Sequence, residues 1–394
     1  MRLVFWTLTL LMLGALQACG GGASTAAVQP SPAGLSEAAQ LGQAIFHDSS
    51  LSASGRMSCA SCHDPARGHA SPLPTPVAFG GARFPADRSD AVAGLRLPPA
   101  IRYLRYNSAF RIEADGTPRG GFFWDGRVNS LAEQAQKPFL SAQEMANVDA
   151  ADVVDKLTRA PYAERFRQLF GSDILQDPAR ALERMGFALE RYQSEDPDFA
   201  PFSSKFDAVN AGRARFTDAE QRGLAWFNRR DKGNCAACHP STKPANAPAA
   251  LFTDFSYDSL GIPRNADIPA NRDPLFFDLG LCGPVRAELS ARTDLCGRFK
   301  VPSLRNVALR ARYFHNGRFD SLAQVLRFYV TRDTQAPQWY PAAVYDDLPL
   351  AFKDRVNVRE APYNRQRGQS AALNDDELTD LLAFLNTLTD GYTP

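Results

Sequence analysis

The chain has 394 residues, 44% of them hydrophobic, with 44 Lys plus Arg against 43 Asp plus Glu. That length exceeds the usual single domain and leaves room for two cores. The near balance of charge excludes a global field for nucleic acid or for an anionic membrane surface.

Met1 to Ala18 places Arg2 ahead of an apolar run through Leu13 and small residues before Cys19, the layout of a cleaved secretory signal. Leu16-Gln17-Ala18-Cys19 resembles a bacterial lipobox, in which the cysteine becomes the lipidated N-terminus. An ordinary signal peptide that contains a cysteine is the alternative. Residues 1–18 are therefore read as signal peptide and 19–35 as a lipid-anchor tether, rich in Gly, Ala, Ser and Pro. Periplasmic location follows, with the outer membrane reached only through the lipid on Cys19.

Leu35 to Phe46 carries Ala39, Leu41, Ile45 and Phe46 at helical spacing, which predicts a first helix ahead of Cys59. Val153 to Phe170 and Pro178 to Tyr192 read as amphipathic helices. Thr217-Asp218-Ala219-Glu220 is a capping-box pattern that opens a helix to Phe227, just before Cys235. Leu378, Leu381, Leu382, Leu385 and Leu388 form a last helical stripe. Strand-like alternation is scarce. The segments Ser71 to Pro98 and Ala250 to Lys300 are rich in Pro, Gly and Asp, and loops of that length are usually functional.

Seven cysteines divide cleanly. Cys59-Ala60-Ser61-Cys62-His63 and Cys235-Ala236-Ala237-Cys238-His239 are c-type haem attachment patterns. The two thiols add to porphyrin vinyl groups, and the following imidazole reaches the iron, so His63 and His239 are the expected proximal ligands. A zinc site or a CxxC redox pair is the alternative. Beyond Cys19, Cys282 and Cys296 remain, and in an exported chain a pair this close reads as a disulfide closing its loop, with two free thiols as the other reading. The expected fold is mainly α, two cytochrome c-like haem domains at 36–205 and 206–394, related by an internal duplication and wrapped by long loops.

The open or closed state of the second iron face separates a haem enzyme from an electron carrier. No methionine follows Met185, so the second half has none of its own to offer its haem. His47, His69 and His315 are the remaining histidines. His47 and His69 read as surface or supporting residues rather than distal ligands, and His315 as a structural or propionate-side residue.

Phe123-Trp124-Asp125-Gly126-Arg127, followed by Ser130-Leu131-Ala132 and Gln134, recurs as Phe314-His315-Asn316-Gly317-Arg318, followed by Ser321-Leu322-Ala323 and Gln324. Together with Val301-Pro302-Ser303-Leu304-Arg305-Asn306 and the two CxxCH motifs, these stretches resemble the bacterial diheme cytochrome c peroxidase and MauG superfamily. Cys282-Gly-Pro, Cys296-Gly and the run from Phe328 to Thr334 with Trp339-Tyr340-Pro341 look closest to its MauG-like, MbnH-type branch.

The resemblance implies a peroxide-binding N-terminal haem and an electron-transfer C-terminal haem. It gives Trp124 the relay between them, Gln134 and Glu144 the distal pocket of the first, with Glu144 as acid/base group, and Tyr329 a ligand to the second iron. Fourteen residues beyond Trp124 stands Pro138, and fourteen beyond His315 stands Tyr329. Proline carries no side-chain donor, so the same position leaves one haem open and caps the other with a hard phenolate.

Two departures stand out. Between Ala70 and Cys238 there is no histidine, so gating by a displaceable histidine in that loop is not expected. The family's Arg-Asn-x-Pro segment, whose asparagine helps to bind an interdomain calcium ion, is here Arg96-Leu97-Pro98-Pro99. Leucine cannot ligate calcium, although backbone carbonyls near Arg310 and Arg312 leave the ion open.

Three functions fit. The first is a MauG-like enzyme that uses hydrogen peroxide to withdraw electrons from a partner protein. The second is a conventional cytochrome c peroxidase fed by a small cytochrome. The third is a diheme electron-transfer module without catalysis.

Overall fold

Helix formation follows the apolar periodicity, and the irregular chain between helices is long. The computed structural model describes residues 34–393 apart from 74, 76 and 82–91. The signal peptide, Cys19 and most of the tether lie outside the described residues, as does part of the segment 71–98. Leu35, read as tether, is buried in the first core.

Among the described residues the helices are α1 Glu37–His47, α2 Cys59–Cys62, α3 Leu131–Leu140, α4 Ala150–Thr158, α5 Ala163–Phe170, α6 Pro178–Glu195, α7 Lys205–Asn210, α8 Asp218–Asn228, α9 Leu322–Thr331, α10 Ala336–Trp339 and α11 Asp375–Asn386. Three two-stranded antiparallel ribbons complete them: β1 Phe79–Gly80 with β2 Val92–Ala93, β3 Arg111–Ile112 with β4 Pro118–Arg119, and β5 Tyr257–Asp258 with β6 Phe299–Lys300. Thr217 caps α8 in a reciprocal capping box with Glu220, as its sequence predicts. The single helix expected over 153–170 is two, α4 and α5. Pro161 lacks a backbone N–H and disfavours helical geometry at Ala160, so the chain turns there.

Residues from Gly34 on form one compact unit. Two large apolar clusters lie within it. One gathers residues from Leu35 to Phe199, including Phe46, Phe139, Met185 and Leu189. The other gathers residues from Phe206 to Leu388, including Phe227, Phe252, Phe328 and Phe384.

Each cluster is built around one helix crossing. α1 packs on α6, and α8 packs on α11. At both crossings the sixth residue of the leading helix is a glycine. A β-carbon on Gly42 would overlap the Ala188 carbonyl, and one on Gly223 would overlap the Asp380 carbonyl. Backbone rather than side chain lies across each contact, so neither neighbour can move aside by changing rotamer.

Gly42→Ala and Gly223→Ala should each destabilise the chain by about 1–3 kcal/mol, the usual range for forced overpacking. Denaturant unfolding of the haem-loaded protein measures this. A loss within the ~0.5 kcal/mol typical of surface changes would show that the crossings are looser than described.

Candidate active site

The duplicated stretch folds into the same loop twice. Phe122 N–H donates to the Val128 carbonyl at 2.8 Å, and Tyr313 N–H donates to the Phe319 carbonyl at 2.9 Å. Phe123 and Phe314 hold left-handed backbone at φ 64° and 65°, and Gly126 and Gly317 follow at 66° and 58°. A ten-residue helix comes next in each copy, α3 after Ser130 and α9 after Ser321. Equal loops followed by equal helices put Pro138 and Tyr329 at the same place, one turn from the helix end.

A cavity of about 220 Å³ lies between the elements of the second half. Cys235, Cys238, His239, Asp258, Arg310, Tyr329 and Tyr363 line it, with apolar walls from Leu326, Val330, Leu381 and Leu385. It reaches Leu97, Trp124 and Gln134 from the first half. His63, Cys59, Cys62 and Glu144 are not part of its wall.

Both histidines are poised as neutral donors. Burial holds His63 down to about 4, against an opposing pull from backbone groups of His69 and Pro99. Burial does the same to His239, also to about 4. His239 Nδ1–H donates to the Phe252 carbonyl at 2.9 Å, which fixes the tautomer and leaves Nε2 free for a metal. His63 Nδ1 is buried without a hydrogen-bond partner.

The four attachment cysteines are unpaired. Burial pushes Cys59, Cys62 and Cys235 up to about 12, and Cys238 is raised too. A zinc site or a redox pair needs thiolates, which these surroundings disfavour, whereas a thioether carries no charge. The cavity, the uncharged sulfurs and the neutral imidazoles fit a covalently held haem. Cys282 and Cys296 are joined in a disulfide with a Cα–Cα distance of 5.0 Å.

Tyr329 points from α9 into the cavity, its ring 5.7 Å from Phe314 and 5.8 Å from Tyr363. Burial raises its phenol above the ordinary value, with Cys238, Cys235 and Asp258 adding to this and Arg332 opposing it. Arg332, wholly buried, caps the C-terminus of the same helix three residues on and stacks over Tyr363 at 4.6 Å. Neither Tyr363 nor Arg332 stood out in the sequence. For Arg332 the signal was present, since a position three residues after Tyr329 shares its helix face.

In the first half, Glu144 follows α3 after a turn in which its N–H donates to the Ser141 carbonyl at 2.9 Å. Burial raises its carboxyl pKa, opposed by Ser141 and Arg127. It lies near enough to Cys59 and Cys62 to raise both thiols. Gln134 faces the large cavity from α3.

Trp124 is buried, and its Nε1–H donates to the Leu97 carbonyl at 2.7 Å. His315, its counterpart, stacks on Phe299 at 3.5 Å with 6° between the planes. His69 stacks on Phe199 at 4.1 Å and lies close to His63, behind the first attachment motif. His47 is exposed beside Phe46.

The profile of the family "Di-haem cytochrome c peroxidase" matches residues 36–215. The methylamine utilization protein MauG of Paracoccus denitrificans is 36% identical over 356 residues, covering 89% of this chain and 88% of that one. The chain belongs to the diheme cytochrome c peroxidase and MauG superfamily. The crystal structure of the diheme peroxidase BthA from Burkholderia thailandensis superposes with a TM-score of 0.83 at 39% identity, over 90% of this chain and 86% of that one. The cytochrome c peroxidase Ccp of Escherichia coli is 28% identical, over 86% of this chain and 63% of its own length. The superfamily makes the chain a diheme peroxidase-type oxidoreductase, reactive toward hydrogen peroxide and drawing on an electron-donor or substrate protein.

Tyr329→Phe tests the placement of that phenol. In the ferric protein the second haem should change from low-spin to high-spin by EPR. An unchanged low-spin signal would move the ligand elsewhere, to Tyr363 first.

Proposed function

We propose that this protein is a MauG-like enzyme with two covalently attached haem c groups, one at Cys59, Cys62 and His63 and one at Cys235, Cys238 and His239. It uses hydrogen peroxide at the first to draw electrons from a partner protein. The observation that carries the reading is the matched pair of helices, which presents Pro138 in one copy and Tyr329 in the other.

When bound, each haem supplies an iron that changes oxidation state, and the first meets peroxide on its free face. His63 and His239 would supply an imidazole ligand to each. Pro138 would offer the first site no side-chain donor, and Tyr329, giving up its proton on binding the metal, would offer the second an anionic oxygen, a donor that favours oxidised iron. Glu144 takes the proton from one peroxide oxygen and returns it to the other, which departs as water. Gln134 orients the peroxide. Trp124 would carry electrons from the second site toward the first, so that the two sites share the oxidising equivalents until electrons from a partner protein reduce them. The halves 36–205 and 206–394 each carry one haem. A signal peptide at 1–18, a lipid on Cys19 and a tether that ends before Leu35 would put the enzyme in the periplasm on the outer membrane.

The name of the Escherichia coli relative supports a second reading, a conventional cytochrome c peroxidase. The stretch from Ala70 to Cys238 without a histidine weighs against reductive gating of that kind. Steady-state turnover with peroxide and a reduced small cytochrome c separates the two. Rates far below the ~1–10³ s⁻¹ usual for dedicated turnover are expected, and rates within that range would favour the conventional peroxidase.

Because the carboxylate form of Glu144 must accept the peroxide proton, and burial raises its pKa, reaction with peroxide should slow as pH falls through a value above the ordinary carboxylate range. Stopped-flow traces of Glu144→Gln should lose that acid limb and run about 10²–10⁴ times slower. A limb that survives the substitution would assign the proton transfer to another group.

A further inference from the structure

The segment in which the resembled family supplies a calcium-binding asparagine is here Arg96-Leu97-Pro98-Pro99, with no side-chain oxygen. We propose that the junction of the two loops binds no calcium, and that Arg96 is the fixed cation that positions Trp124. The effect on Trp124 rests on the functional reading above, while the metal content does not.

Calcium takes six to eight oxygen ligands. The segment 96–99 offers it few. Leu97 has an apolar, buried side chain, and its carbonyl already accepts the Trp124 indole N–H at 2.7 Å. The Leu97 N–H donates to the His315 carbonyl at 2.7 Å, so both backbone polar groups of this residue are engaged. On the other side, the Arg310 guanidinium donates to the carbonyls of Ser303 and Arg305. Among the described residues, no three His, Cys, Asp or Glu side chains are grouped so as to hold a metal ion.

Arg96 occupies the centre. Its Nε and Nη2 donate to the two carboxylate oxygens of Asp278, each at 2.7 Å, and Nη1 donates to Asp125 Oδ2 at 2.6 Å. Asp125 is wholly buried next to Trp124 in the first loop, and Asp278 comes from the long loop of the second half. The guanidinium also lies 5.4 Å from the Phe299 ring that stacks on His315. Burial works against this charge, but Asp278 and Asp125 outweigh it and raise the arginine pKa. One covalently held cation thus joins the loop of Asp125 to that of Asp278. A bidentate guanidinium fixes direction as well as charge, which a lysine does not.

The test uses the full haem-loaded protein. After dialysis against EGTA, elemental analysis should find far less than one calcium per chain. Calcium returned at about 1 mM, enough for weak extracellular sites, should leave the thermal midpoint unchanged. One retained calcium per chain, or a midpoint that rises with calcium, overturns the metal-free junction. Arg96→Gln and Asp278→Asn then test positioning. Freeze-quenched EPR should show the second haem's ferric signal disappearing about 100-fold more slowly after peroxide, the scale of a 1 Å misplacement, with haem content preserved. Arg96→Lys should recover part of the rate. Native rates in both Arg96→Gln and Asp278→Asn overturn the role of Arg96. Should Arg96→Gln not fold, Asp278→Asn decides alone. Failure of the native protein itself to oxidise both haems would instead count against the functional reading, and the calcium result would stand.

Discussion

The backbone of a single residue, Leu97, holds the two copies of the duplicated loop together. Its carbonyl receives the indole of Trp124 and its N–H reaches the carbonyl of His315, residues that occupy the same place in each copy. A buried peptide group left unpaired would cost a few kcal/mol, so each copy is held in place by the other. Arg96, next in the chain, adds charge to this arrangement by pairing with Asp125 on one side and Asp278 on the other. Removing one partner of such a buried pair is more damaging than its net contribution suggests, because it leaves a charge alone in low dielectric.

Around this centre, one supersecondary unit is used twice. The loops share their closing hydrogen bond, their left-handed phenylalanine and glycine, and the helix that follows. What differs is confined to side chains: proline against tyrosine on the helix, indole against imidazole in the loop. Backbone equivalence makes these differences legible as chemistry, because a donor present in one copy is absent from the same point of the other. The crossings of α1 with α6 and of α8 with α11, each relieved by a glycine, extend the correspondence to the framework behind the haem motifs.

Much of this was visible in the sequence, for identifiable reasons. The attachment motifs are local, so Cys59 to His63 and Cys235 to His239 announce themselves without a fold. The capping box at Thr217 depends on residues three apart, and it appears as read. The break at Pro161 was also written locally and was passed over because the apolar pattern of α4 and α5 continues in phase. Arg96 was not legible in this way. Its partner Asp278 lies 182 residues away, and in sequence the segment Arg96-Leu97 marked only a missing metal ligand. Tyr363 was hidden likewise, in a loop without periodicity whose course depends on the cavity it lines.

The central claim is that the two haem sites act as one oxidising unit, the first open beside Pro138 and the second capped by Tyr329. EPR of the all-ferric protein before and after one equivalent of hydrogen peroxide tests it most directly. The account predicts one high-spin and one low-spin ferric signal at the start, and the loss of both together on peroxide addition. Two low-spin signals that peroxide leaves in place, or loss of the high-spin signal alone, would contradict it.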